Sequence, residues 1–126
     1  MKARENLVRL KRFQVNEKRR QMAQLDMMIA EFDRMASELD LQIAAEEKKA
    51  GITDQNHFAY PTFAKAARQR RDNLKNSQVD LVAQKTAAQA QLSEAEIELE
   101  RAEMLESRDG RVPRDMEAPA SSAMIG

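Results

Sequence analysis

The sequence predicts an all-α fold, a long two-helix antiparallel coiled-coil hairpin with a disordered C-terminal tail. The first observation behind this prediction is composition: 33% of the 126 residues are charged, 4% are aromatic, and Cys and Trp are absent. Such a chain lacks the aromatic and β-branched side chains of a sheet core and has the residues typical of long helices. The other two observations are a heptad repeat and the separation of charge into blocks.

The first predicted helix covers residues 3–50. Neither Pro nor Gly occurs before Gly51, and apolar side chains recur at alternating steps of three and four residues, the spacing of a left-handed coiled coil. The seam, meaning the row of positions that faces the partner helix, consists of Val8, Lys11, Val15, Lys18, Met22, Leu25, Ile29, Phe32, Ala36, Leu39, Ile43 and Glu46. Four methionines, Met22, Met27, Met28 and Met35, are expected to supply adaptable bulk between the helices.

Residues 51–61 are predicted to connect the two helices. Gly51 can adopt the positive φ that ends a helix. The proline at Pro61 moves Tyr60 away from the helical conformation, and Thr62 is a suitable N-cap for the next helix. We therefore expect a loop longer than a minimal turn, with room for a short helical turn.

The second predicted helix covers residues 62–107 and has a thinner, Ala-rich seam, which lets the partner helix approach closely. Its positions are Ala64, Ala67, Arg71, Leu74, Gln78, Leu81, Lys85, Ala88, Leu92, Ala95, Leu99, Ala102 and Glu106. The hairpin domain is thus expected to cover residues 1–108. Residues 109–126 contain Gly, Pro and small polar side chains with little apolar periodicity, and are predicted to form a flexible tail.

Charge blocks predict that the helices pair antiparallel within one chain. Residues 1–20 contain eight Lys or Arg, whereas residues 26–47 contain seven acids and one base. The second helix repeats this order, since residues 63–85 are mainly basic and residues 94–109 mainly acidic. Folding near residue 55 places position i opposite roughly position 110 minus i, which matches opposite charges. A parallel in-register dimer would instead align like charges, at a few tenths of a kcal/mol for each close pair.

The residues that carry enzyme chemistry are scarce. His57 is the only histidine, there is no Cys, and three Gly cannot build a phosphate-cradling loop. We therefore expect no catalytic, cofactor-binding or metal site and no enzyme activity. His57, with Phe58 and Tyr60 beside it, has two interpretations: it belongs to a recognition patch, or it serves loop packing and simple exposure.

Charge and hydropathy also limit the classes of partner. The net charge is zero, so no overall basic field favours nucleic acid. A basic set near the N-terminus is suited to phosphates or anionic lipid, but the acidic arm opposite would neutralise much of it; its members are Lys2, Arg4, Arg9, Lys11, Arg12, Lys18, Arg19 and Arg20. No apolar run approaches the roughly 20 residues of a membrane span. We expect a soluble cytoplasmic protein without an integral membrane segment.

Four large apolar residues fall outside both seams: Leu10, Phe13, Leu41 and Phe63. On a two-helix fold, such outward side chains indicate contacts with partner proteins. The other interpretation is a broader or drifting seam near the ends of the helices.

Three segments carry a family resemblance: LVRLKRFQVNEKRRQM in the first arm, the loop GITDQNHFAYPTF, and AKAARQRRDNL at the start of the second arm. With them, residues 1–107 resemble the FliJ family of flagellar export proteins in its alphaproteobacterial form. The most distinctive part is NHFAYPTFAKAARQRRDNL.

The resemblance implies a non-enzymatic component of the flagellar type III export apparatus, associated peripherally with the inner membrane. Its expected partners are the export ATPase ring, the export gate protein and export chaperones, and not nucleic acid. The end where the termini meet, with Leu7, Arg9, Leu10, Arg12, Phe13 and the facing segment 95–106, would contact the ATPase. The loop side, with His57, Phe58, Tyr60, Phe63 and Arg70, would contact the other partners. A generic coiled-coil scaffold or adaptor, and a nucleic-acid-associated coiled coil, stay open as alternatives.

Overall fold

The computed structural model describes the backbone of residues 2–117 and the side chains of residues 2–108. Helix α1 covers Lys2–Ala50 and helix α2 covers Thr62–Glu117, and the described residues form no strand. The all-α prediction is confirmed. None of the helices in the described part is long and apolar enough to cross a membrane.

Helix α2 continues to Glu117, later than the predicted end near residue 107. The added stretch contains Gly110 and Pro113, which disfavour a helix interior by about 1 and about 3 kcal/mol relative to Ala, and the backbone is helical through both. Of the predicted tail, residues 109–117 have helical backbone, and residues 118–126 lie outside the described residues.

Contacts between the helices divide the chain into two units. Unit 1 comprises Met1–Gln21 and Ala88–Gly126. In its described part, Arg12 pairs with Glu103 and Arg19 pairs with Glu96. The residue number thus rises by seven on α1 while it falls by seven on α2, so the two segments run antiparallel. The buried core of the unit consists of Val8, Val15, Ala88, Leu92 and Ala102.

Unit 2 comprises Met22–Ala87, and its helix segments also run antiparallel. Asp26 pairs with Lys85 and Asp40 pairs with Arg71, so a rise of 14 on α1 accompanies a fall of 14 on α2. Its buried core residues are Leu25, Ala36, Leu39, Ile43, Tyr60, Ala64, Ala67 and Leu81. Leu39, Ile43 and Ala67 form a cluster, against which Leu74 packs.

Every predicted seam position is buried or half-buried in these helices, which confirms the heptad pattern. The predicted role of two methionines is wrong, because Met27 is 73% and Met28 is 45% exposed. Met27 lies midway between the seam positions Leu25 and Ile29, on the outer face of α1, and Met28 lies at the edge of the seam, next to Ile29. Met22 and Met35 are half-buried, in agreement with the expectation.

The loop begins with a helix cap at Gly51, whose φ is +72°. The backbone N–H groups of Gly51 and Ile52 both donate to the carbonyl oxygen of Glu47, at 2.8 and 3.3 Å, which satisfies an acceptor at the end of α1. Two tight turns follow: the N–H of His57 donates to the carbonyl of Asp54, and the N–H of Tyr60 donates to the carbonyl of His57. The loop is thus held by its own backbone hydrogen bonds.

Candidate functional site

The first candidate surface lies in unit 1 and contains the five N-terminal residues that the resemblance implies. Leu10 is 51% and Phe13 is 61% exposed. They lie three residues apart and therefore share a face of α1. Arg9 is exposed and Leu7 is half-buried. Val8 and Lys11 occupy the seam and face the partner helix, so Leu10 and Phe13 lie on the outer surface.

Ion pairs engage several cations of this surface. Arg12 contacts Glu103 at 3.3 Å and Arg19 contacts Glu96 at 3.1 Å. Lys11 contacts Glu98 at 2.7 Å. The predicted pairing of the basic N-terminal block with the acidic block of α2 is confirmed in this unit, and these cations have acids as nearest partners.

Two exposed apolar residues of α2 were not singled out individually from the sequence. Ile97 is 49% and Met104 is 66% exposed, and their spacing of seven residues puts them on one face of the helix. Both belong to the facing segment 95–106. The heptad repeat predicts that both side chains point outward, since each lies midway between two seam positions.

The second candidate surface lies in unit 2, around the loop. Phe58 is 97% exposed, and its ring stacks on His57 with centroids 4.7 Å apart. The backbone N–H of Ala59 donates to Nδ1 of His57 at 3.0 Å, so this ring nitrogen accepts a hydrogen bond within the loop. The loop thereby presents an exposed aromatic ring that stacks on His57.

Tyr60 takes part in a half-buried polar network with Glu47 and Arg68. Its side chain is 9% exposed, its hydroxyl donates to Oε2 of Glu47 at 2.7 Å, and the hydroxyl oxygen accepts from Nε of Arg68 at 2.8 Å. Nη2 of Arg68 also contacts Oε2 of Glu47, at 2.8 Å. We therefore place Tyr60 in the support of the loop rather than in its binding surface.

Electrostatics in this network favour the charged forms. Hydrogen bonds from Arg68 and then from Tyr60 hold the pKa of the Glu47 carboxyl below its ordinary value. The same contacts with Glu47 and then Tyr60 raise the pKa of Arg68. Sequence reasoning missed Glu47 and Arg68, because neither is a seam position. The sequence feature that could have identified them is their position: each directly follows a seam residue, and opposite charges at such positions pair across an antiparallel coiled coil.

The remaining two predicted residues lie at the start of α2. Phe63 is 54% exposed and Arg70 is exposed. Among the described residues, no carboxylate pairs with Arg70, whereas its neighbour Arg71 contacts both Asp40 at 2.9 Å and Asp72 at 3.1 Å. The carboxylates, Asp40 first, raise the pKa of Arg71.

The exposed groups of the two surfaces are aromatic rings, apolar side chains and a guanidinium. Such groups contribute burial, stacking and ion pairing in a complex with another macromolecule.

No group of three or more potential metal ligands occurs within the part of the chain that the structure describes. Comparison with protein-family models, with curated proteins and with solved structures finds no match to this chain.

Proposed function

We propose that this chain is a soluble, non-enzymatic component of a flagellar type III protein export apparatus that couples the export ATPase ring to the export gate and to export chaperones. The observation that carries the proposal is the FliJ-like segment NHFAYPTFAKAARQRRDNL, in which Phe58 is 97% exposed. The geometry supports a binding role, since large apolar side chains lie on the outer faces of paired helices.

The surface of unit 1 is the proposed contact with the ATPase. Leu10 and Phe13 supply an apolar anchor of the kind that dominates interface energies. Arg9 is exposed beside them and supplies a positive charge at the rim. The loop surface of unit 2, with Phe58 and Phe63, is the proposed contact with the gate protein and the chaperones.

The ATPase contact is tested by pull-down with the export ATPase. We expect deletion of residues 1–13, and the double substitution Leu10→Asp with Phe13→Asp, to abolish association. The matched control is Met27→Asp, because Met27 is also largely exposed on α1 but belongs to unit 2. Undiminished association after the deletion would contradict the assignment of this surface.

The function itself is tested with a deletion strain, by motility and by the presence of filaments. Paralysis without filaments is the expected result. Unchanged motility would favour a generic scaffold or adaptor. A steep salt dependence of affinity for DNA or RNA would favour a nucleic-acid-associated coiled coil.

A further inference from the structure

The two edges of the seam differ in unit 2. The cross-helix ion pairs in this unit start from Asp26, Asp40 and Glu47 on α1. These acids are separated by multiples of seven residues, so they lie along one edge of the helix, next to the seam. Ion pairs therefore connect the two helices along that edge.

The opposite edge is built from different side chains. On α1 it carries Met28, Met35 and Gln42, and on α2 it carries Arg70, Ser77 and Gln84, again at steps of seven. Arg70 is the only charged side chain of these six, and among the described residues no carboxylate pairs with it. The edge is therefore open, and it combines soft apolar groups with one unpaired cation.

Two adjoining hollows occupy this edge, with volumes of about 250 and 170 Å³. Met35 and Arg70 line both of them. The larger hollow has an apolar floor that includes the half-buried side chains of Phe32 and Leu74. The smaller hollow is more polar and is lined by Glu38 and Gln42 as well. Together the hollows form a groove between α1 and α2, which we call the Met35 groove.

We infer that the Met35 groove binds an amphipathic helix of a partner protein, with the apolar stripe of that helix on Phe32, Met35 and Leu74 and one of its carboxylates paired with Arg70. A groove between two antiparallel helices accepts a third helix by the knobs-into-holes packing that already joins the pair. A Met-lined surface adapts to different apolar partners.

Charge complementarity identifies the occupant. The guanidinium of Arg70 lines both hollows without a carboxylate partner among the described residues, and its planar fork matches a carboxylate by two parallel hydrogen bonds. Glu38 also lines the groove from α1, but it interacts electrostatically with Arg34 on its own helix, so Arg70 is the charge that selects an acidic partner helix. This inference rests on unit 2 alone and does not depend on the export proposal.

The test is a binding titration of the full chain with fluorescently labelled model helices of about 21 residues, or three heptads, followed by anisotropy. One probe has Leu at the seam positions and Glu beside them, and the other has Lys in place of each Glu. We expect preference for the Glu probe, and a roughly tenfold weaker affinity for Arg70→Ala, as for loss of a charge-assisted hydrogen bond.

Charge reversal and matched controls make the test specific. Arg70→Glu should move the preference to the Lys probe, whereas Lys75→Glu should not, because Lys75 is an exposed cation on the other edge of α2. Met35→Gln should weaken binding and Met27→Gln should not. Circular dichroism checks that each variant is helical.

Three results would overturn the inference. They are failure of the wild-type chain to bind the Glu probe, equal effects of the Arg70 and Lys75 reversals, and light scattering that shows a dimer of this chain that Arg70→Glu separates. The last result would mean that a second copy fills the groove. None of them bears on the ATPase pull-down, so the two proposals fail separately.

Discussion

At the residue scale, the carboxylate of Glu47 joins helix α1 to both the loop and helix α2. It accepts hydrogen bonds from the hydroxyl of Tyr60 and from Arg68, while its backbone carbonyl accepts from Gly51 and Ile52. One residue therefore holds the end of α1, the buried tyrosine and the first turns of α2. Phe58, two residues before Tyr60, stacks on His57 but is not itself covered.

Replacement of Tyr60 by Phe tests this support. The ring stays buried, but the hydroxyl that bridges Glu47 and Arg68 is lost, so we expect the free energy of unfolding to fall by about 1 to 2 kcal/mol. Urea unfolding measures the change. Phe58→Ala is the control and should change stability by less than about 0.5 kcal/mol, because that side chain is exposed. A larger loss for Phe58→Ala than for Tyr60→Phe would contradict the assignment.

The lowered pKa of Glu47 predicts a dependence of stability on pH. Because the pKa is lower in the folded state than the ordinary value of 4.5, the contribution of Glu47 is fully present above that value. It is lost as the pH falls through the folded-state pKa, where the carboxylate becomes protonated. We expect urea midpoints of the wild-type chain to decline below about pH 4.5, and Glu47→Gln to decline less steeply.

Glu46→Gln is the matched control for this pH series, since Glu46 is the adjacent acid and has no ion pair among the described residues. It should keep the wild-type decline. If Glu46→Gln and Glu47→Gln flatten the profile equally, the network is not the source of the pH dependence.

At the element scale, the helices of unit 2 pack through layers in which a large side chain faces a small one. Ile43 and Leu39 pack with Ala67, and both Ile43 and Ala67 are only 3% exposed. The Ala-rich seam of α2 therefore sets how closely the two helices approach. Its small side chains are needed for the packing and do not simply fill helical positions.

Ala67→Leu is expected to destabilise unit 2 by about 1 to 3 kcal/mol, because the added carbons have no free space beside Ile43. The control is Ala66→Leu, one residue away and exposed, which should be nearly neutral. Urea unfolding with both variants provides the measurement. Equal effects of the two substitutions would mean that the seam is not packed in this register.

The elements show where a periodic pattern suffices and where it does not. Each seam position followed from steps of three and four residues, and the same steps exclude Met27 and Met28, which were nevertheless expected to fill the interface because of their residue type. Position relative to the seam explains Met27, which lies on the outer face, whereas Met28 and Met35 share one heptad position at the edge of the seam and differ in exposure. The sequence prediction ends α2 near residue 107, and helical backbone continues to Glu117.

At the scale of the whole molecule, the net charge of zero is the sum of basic and acidic segments, and within each unit a basic segment of one helix pairs with an acidic segment of the other. In unit 1 the cations lie on α1 and the acids on α2, as in Arg19 with Glu96. In unit 2 the order is reversed, as in Asp40 with Arg71. The reversal disfavours a shift of one unit's pairing onto the other, because like charges would then meet.

Cross-linking tests the antiparallel register in each unit, and the chain has no cysteine of its own to interfere. With a short bismaleimide, the double variant Arg12→Cys with Glu103→Cys should cross-link within one chain. The pair Arg12→Cys with Glu96→Cys, displaced by one heptad or about 10 Å along the axis, should not. In unit 2, Asp40→Cys with Arg71→Cys should likewise react. Cross-linked dimers at low protein concentration would contradict pairing within one chain.

Pattern along the chain was enough to give the helices, the seam and the antiparallel pairing, because each depends on periodicity or on charge summed over many residues, where single exceptions cancel. The burial of Tyr60, the bridge from Glu47 to Arg68 and the open Met35 groove required the packed helices. These features depend on which individual side chains reach across from one helix to the other. Phe58 and Tyr60 looked equivalent in the sequence, and only their contacts separate an exposed ring from a buried support.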